Sequence, residues 1–148
     1  MGILAQHKKA KQKYEVLKIM EAGIKLLGTE VKSIKSGRAT LEGAYIVVRG
    51  AEAFAVGLNI PPFQTANTPI GYDPISPRKL LLKRKEIEEI LEAENQKGLT
   101  TTILSLYNKG SKIKAEVAIV RNKKSADKRE AIKRRDTERE LRRTLKYR

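Results

Sequence analysis

The sequence has no cysteine and no tryptophan, only one histidine, two phenylalanines and five tyrosines. Without cysteine there is no disulfide and no thiolate metal site, and His7 alone cannot build a zinc centre, so no metal or cofactor is expected. The scarcity of aromatic rings has two consequences. The core must be built from Ile, Leu, Val and Ala, and a platform for stacking single-stranded bases is poor. The aromatics that fall on expected strands, Tyr14, Tyr45, Phe54 and Tyr107, are read as core. No apolar run approaches the ~18 residues of a membrane span, and the N-terminus lacks the h-region of a signal peptide. A cytoplasmic protein without membrane contact is expected. G-x-S-x-G, Walker A and H-E-x-x-H are absent as well. Glu86, Glu88, Glu89, Glu92 and Glu94 point in different directions around a helix rather than converging on an ion. No catalytic residue is assigned, and a non-enzymatic role is expected.

What the chain has in excess is positive charge: 32 Lys and Arg against 17 Asp and Glu, a formal +15. Its distribution is uneven. Residues 1–13 hold four lysines and no acid, residues 121–148 hold 13 bases against five acids, and residues 14–120 are close to balance. Two basic ends on a near-neutral centre suit a polyanionic partner, and nucleic acid is the best candidate. Too few rings for stacking makes that target a folded RNA, read through phosphates, 2′-hydroxyls and shape.

Three segments follow: a basic arm (1–13), a folded RNA-binding domain (14–122) and a basic tail (123–148). In the domain, Tyr14 to Met20 and Gly23 to Leu27 read as two short strands. Thr29 stands as an N-cap, Val31 and Ile34 share a face, and Gly37 stops a short helix. Ala44 to Arg49 and Ala53 to Leu58 flank a tight turn and predict a hairpin. All five prolines lie between residues 59 and 78, a crossing loop. Leu80, Ile87, Ile90 and Leu91 keep helical spacing through a longer helix from Lys83 to Lys97, ended by Gly98. Leu99 to Tyr107 and Lys112 to Val120 predict a second hairpin, with Ile113, Ala115, Val117 and Ile119 on one face. The fold class is mainly β with α, a small antiparallel OB-like barrel with one short and one longer helix. A split α+β sheet is the alternative. In the tail, Asp127 and Glu130 are spaced as a capping box, yet Ala131, Ile132, Leu141 and Leu145 are too few for an apolar stripe. The tail is expected to become helical only on a partner.

Several blocks carry a family resemblance: EAGIKLLGTEVKSIKSGRA (Glu21 to Ala39), DP followed by RKLLL (Asp73-Pro74, Arg78 to Leu82), KGLT (Lys97 to Thr100), SLY (Ser105 to Tyr107) and DKREAIKRRD (Asp127 to Asp136). In this order and at these separations they resemble small protein B, the family of SsrA-binding partners of transfer-messenger RNA. The resemblance implies a barrel that clasps the tRNA-like domain of that RNA, monomeric in the complex, and delivers it to stalled ribosomes for trans-translation. Glu21 and Leu81 match family positions associated with the RNA. Taken alone, Glu21 would be read as a structural hydrogen bonder and Leu81 as core. His7, Lys8, Lys11, Lys13, Lys32, Lys123 and Lys124 join them as candidate RNA contacts. Asp127, Lys128, Arg129, Lys133, Arg134, Arg135, Arg139, Arg142 and Arg143 are the candidate ribosome contacts, directed to the decoding centre and message channel of the small subunit. The second reading of the composition is a general basic RNA-binding protein, such as a ribosomal protein or RNA chaperone. Three positions depart from the family pattern: His7 stands where Asn is usual, Asn122 where Gly precedes KK, and Ala126 where Tyr or His precedes DKR. Asn122 is expected to keep a glycine-like turn. Ala126 removes a ring, leaving ribosome contact to Asp127, Lys128, Arg129 and the rest of the tail.

Overall fold

The structure, a computed structural model, describes residues 2–122 apart from Thr65 and Asn67. Lys123, Lys124 and every candidate ribosome contact lie outside the described residues. The elements run β1 (Ile3–Gln6), α1 (Ala10–Lys13), β2 (Tyr14–Ile24), α2 (Gly28–Lys35), β3 (Tyr45–Arg49), β4 (Glu52–Val56), β5 (Arg78–Leu81), α3 (Arg84–Glu94), β6 (Leu99–Lys109) and β7 (Lys112–Asn122). The strands form one sheet in the order β1-β6-β7-β2-β5-β4-β3, antiparallel at every step. The sheet curls until β3 lies against β6 without a ladder between them. There the Thr102 hydroxyl donates to the Ala44 carbonyl at 2.8 Å. α3 packs on both β3 and β6, and its Glu94 accepts the Val48 N–H of the β3 edge at 3.3 Å. A helix thus covers the edge that a closed barrel would have paired. This is the expected mainly β barrel with helices.

The core is aliphatic as expected, with Ile34, Leu41, Ile46, Leu58, Ile60, Leu80, Ile90, Ile103, Leu106 and Val117 at its centre. The aromatics are not in it. Tyr45 is exposed and Tyr14, Phe54 and Tyr107 are only half-buried, because small and branched side chains already fill the inward positions. Ile113, Ala115, Val117 and Ile119 do face inward together. Their neighbours Ala118 and Val120 are fully buried too, but outside that cluster, under the opposite face of the sheet.

Several boundaries differ from the sequence reading. Tyr14 to Leu27 is not two strands: β2 runs unbroken through Glu21 and Ala22, which pair with Glu116 and Ala115, and only a bulge between Val16 and Lys18 interrupts its register. Neither Glu21 nor Ala22 is a turn former, and Ala22 is a core residue. Where an arm was expected, β1 pairs with β6 and α1 packs on β2. α2 starts one residue before Thr29, with the Leu27 N–H donating to the Glu30 carboxylate at 2.8 Å, and Gly37 ends it at φ +81°. Arg78–Leu81 is a strand, so Leu80 belongs to β5 rather than to the helix; α3 buries Ile90 and Ala93, and Leu91 is exposed. The β3–β4 turn places both Gly50 (φ +59°) and Ala51 (φ +66°) in the left-handed region, as a two-residue hairpin loop requires. Asn122 makes no glycine-like turn: it ends β7 opposite Tyr14, and among the described residues Ala51 is the one non-glycine at positive φ.

One buried group locks the proline loop. The Arg78 guanidinium donates to Glu30 Oε2 (2.9 Å from Nε), to the Leu58 carbonyl (2.6 Å) and to the Tyr72 hydroxyl (3.0 Å). That hydroxyl also lies 2.7 Å from the Ile60 carbonyl. The Ser33 hydroxyl donates to the Pro61 carbonyl at 2.6 Å, so α2 holds the loop at a second point. The GTEVKS and RKLLL blocks therefore meet inside the protein, through Glu30 and Arg78.

Candidate nucleic-acid interface

Glu21 and Leu81, a carboxylate and an alkyl group far apart in sequence, are brought onto one surface by β2 and β5. Gly23, two residues beyond Glu21 and on its face of β2, pairs directly with Leu81. A Cβ on Gly23 would stand 3.2 Å from Leu81 Cβ and 3.3 Å from its Cδ1. The missing side chain is what lets Leu81 lie there, 51% exposed, so its reading as core does not hold. A groove of about 650 Å³ runs past Glu21, Gly23, Lys79, Leu81, Lys83 and Lys114. A smaller hollow of about 270 Å³, with Ile24, Leu26, Lys112 and Ile113 among its walls, shares Gly23, Leu81 and Lys114. Leu81 is the ridge between them. An alkyl ridge flanked by Lys79, Lys83 and Lys114 and by the carboxylates of Glu21, Glu52 and Glu86 can pack a sugar or base, hold phosphates and accept from base amino groups.

Glu21 is held by two side chains of β6. Tyr107 donates its hydroxyl to Oε2, and the Lys109 ammonium lies 3.0 Å from Oε1 and 3.3 Å from Oε2. The Tyr107 bond, then that of Lys109, keeps the Glu21 carboxyl below its ordinary range. Burial, with the neighbouring carboxylate, pushes the Tyr107 phenol up to about 12, so it remains a donor at any working pH. Glu116 lies directly opposite Glu21 across the ladder and accepts from the Ser105 hydroxyl at 3.1 Å. Beside this pair, Ile3, Ile19, Met20 and Tyr107 line a further cleft of about 410 Å³.

The other candidates are elsewhere. Lys8 and Lys9 are exposed in the turn before α1, and Lys13, half-buried, holds its ammonium 5.3 Å from the centre of the Tyr14 ring. Lys11 lies within α1, and Lys32 is exposed on α2. This places α1 at the Tyr14 end of β2, seven residues or roughly 23 Å of strand from Glu21. β7 ends there as well, since Asn122 pairs with Tyr14, so the last described residue lies at the end remote from Glu21. His7 is turned inward rather than presented to a ligand: it is 5% exposed, its ring edge-on to Tyr14, and its Nδ1 has no partner among the described residues. Burial and the Lys13 charge lower its pKa, against a smaller opposing effect of Glu42.

The sequence reading missed Tyr107, Lys109, Lys114 and Gly23. Alternation was the available signal: Leu106 is core, so Tyr107 must face out, beside the hairpin turn. Among the described residues no three His, Cys, Asp or Glu are grouped to hold a metal ion, and no helix is long and apolar enough to cross a membrane.

The chain is similar to known proteins over nearly its whole length. The family described as SmpB protein matches residues 4–147. Relatives include an SsrA-binding protein of Mesoplasma florum, 46% identical over 98% of this chain and 97% of its own, and one of Oleidesulfovibrio alaskensis, 45% identical over 97% and 92%. Another, from Microcystis aeruginosa, is 40% identical over 97% and 94%. A chain in a solved structure described as tmRNA-SmpB at the center of the bacterial ribosome superposes with a TM-score of 0.67, at 34% identity over 80% of this chain and 82% of that one.

Proposed function

Because the chain belongs to the SmpB family, we propose that it binds the tRNA-like domain of transfer-messenger RNA and carries that RNA to stalled ribosomes for trans-translation. The observation that carries the reading in this protein is the meeting of Glu21 and Leu81 on one lysine-flanked surface, at the far end of the β2–β7 ladder from Asn122. The barrel supplies RNA selectivity and the lysines of the α1 region supply phosphate contacts. Lys123 and Lys124 add phosphate contacts to the RNA, and the tail beyond them supplies the ribosome contacts. As a helix its last twenty or so residues would span about 30 Å, enough to lie along an empty message path. One copy acts per RNA, in the cytoplasm, and the protein performs no chemistry on its partner.

The test is a chain lacking residues 126–148. Its selectivity for transfer-messenger RNA over bulk tRNA in a gel-shift competition should survive, while peptide-bond formation to that RNA on a ribosome with truncated message should collapse. Loss of selectivity would move the RNA site into the tail; tagging at the full rate would make the tail a solubilising appendage. Transfer-messenger RNA incubated with the pure protein, with and without magnesium, should remain uncut and unmodified.

A further inference from the structure

Glu21 and Glu116 face each other directly across β2 and β7. Like charges so placed destabilise a sheet, and among the described residues Glu21 bonds to no backbone group that would require a carboxylate at that position. Local rules are broken in this way where function demands it. Of the two groups that hold Glu21, Tyr107 is half-buried with its phenol aimed at Oε2, whereas Lys109 is 54% exposed at the end of β6 and is, among the described residues, the one partner of Oε1.

We propose that Tyr107 is a specificity-determining positioning residue and Lys109 an exchangeable counterion: Tyr107 fixes one oxygen of Glu21 while a nucleobase amino group displaces Lys109 from the other. This rests on the reading that Glu21 meets the RNA. Exposed ion pairs of flexible lysines are weakly held, so Lys109 gives way to a better-placed donor. A guanine edge offers two adjacent N–H groups to a carboxylate, and a cytosine offers its amino group. Phosphate is refused, because Glu21 and Glu116 repel it. The filter is therefore for a base edge, on a protein whose net charge otherwise favours any RNA backbone.

The experiment compares wild type, Tyr107→Phe, Glu21→Gln and the double variant for binding to the tRNA-like domain and to bulk tRNA, from pH 4 to 7, with the denaturation midpoint of each recorded. Tyr107→Phe keeps the ring and should lower selectivity roughly tenfold, leaving bulk tRNA binding unchanged. The double variant should be no worse than Glu21→Gln alone. In Tyr107→Phe the acid loss of selective binding should move to higher pH, because the Glu21 carboxyl no longer has its main donor. Additive effects of the two substitutions, or an unmoved acid limb, would overturn the proposal. Lys109→Met should retain selectivity; a loss matching that of Tyr107→Phe would overturn the exchange. If Glu21→Gln itself leaves selectivity intact, the failure belongs to the RNA-contact reading of Glu21 rather than to Tyr107.

Discussion

Glu30, Tyr72 and Arg78 inside the barrel, and Glu21, Tyr107 and Lys109 on its outer face, each join a carboxylate, a phenol and a cation, in opposite settings. The inner cation is an arginine whose rigid fork meets a carboxylate, a carbonyl and a phenol at once, with both charged side chains about 95% covered. The outer cation is a lysine on a flexible stem, open to water. A fixed fork suits a permanent joint and a point charge suits exchange. The difference teaches where each group acts: the inner one joins α2, the proline loop and β5, and the outer one offers a carboxylate to a partner. Substitutions at the two sites should therefore move different observables.

The largest effect is expected at the joint. Glu30→Ala leaves Arg78 buried without its counter-charge and should cost about 3–5 kcal/mol in denaturant unfolding, while the molecules that remain folded keep their RNA selectivity. A small loss there would mean that the pair contributes little and the comparison fails. Tyr72→Phe removes one hydroxyl from the same group and should cost about 1 kcal/mol, again without touching selectivity. Ala51→Gly relieves the left-handed backbone of the β3–β4 turn and should add about 1 kcal/mol. Because Ala51 lines the groove beside Leu81, unchanged selectivity in this variant would separate groove shape from groove chemistry. The smallest effect concerns pH. His7 has a lowered pKa in the folded protein, so the unfolded chain takes up a proton first as pH falls below about 6.5. Its contribution to stability is present above that pH and is lost on acidification. His7→Asn should flatten stability between pH 5 and 7, as read from melting temperatures.

The hairpins, the aliphatic core and the inward face of β7 were legible in the sequence because alternation and turn residues coincide there. β5 was not: its four residues begin with Arg78, a charge that belongs outside until Glu30 is known to face it across 48 residues. Leu80 fitted a helical spacing by accident, since the chain passes from strand to helix within two residues. β1 was hidden by the lysines that follow it. Glu21 and Leu81 came only from the family resemblance, and residue chemistry alone favoured a structural role for both. Tyr107 was given to the core because it sits on a strand, although its neighbour Leu106 had already claimed the inward direction. His7 erred the other way: it sits among surface lysines in sequence, yet its side chain is buried with its ring edge-on to Tyr14.

The central claim is that charge supplies affinity and the Glu21 surface supplies selectivity. The most direct measurement is the salt dependence of binding for wild type and Glu21→Gln, each with the tRNA-like domain and with bulk tRNA. Every lysine–phosphate contact adds to the slope of log K against log salt, and a base-reading carboxylate does not. The account expects the slopes of wild type and variant to coincide on both RNAs, with the variant's line for the tRNA-like domain dropped by about tenfold or more and its line for bulk tRNA unmoved. Equal drops on both RNAs, or a changed slope, would contradict it.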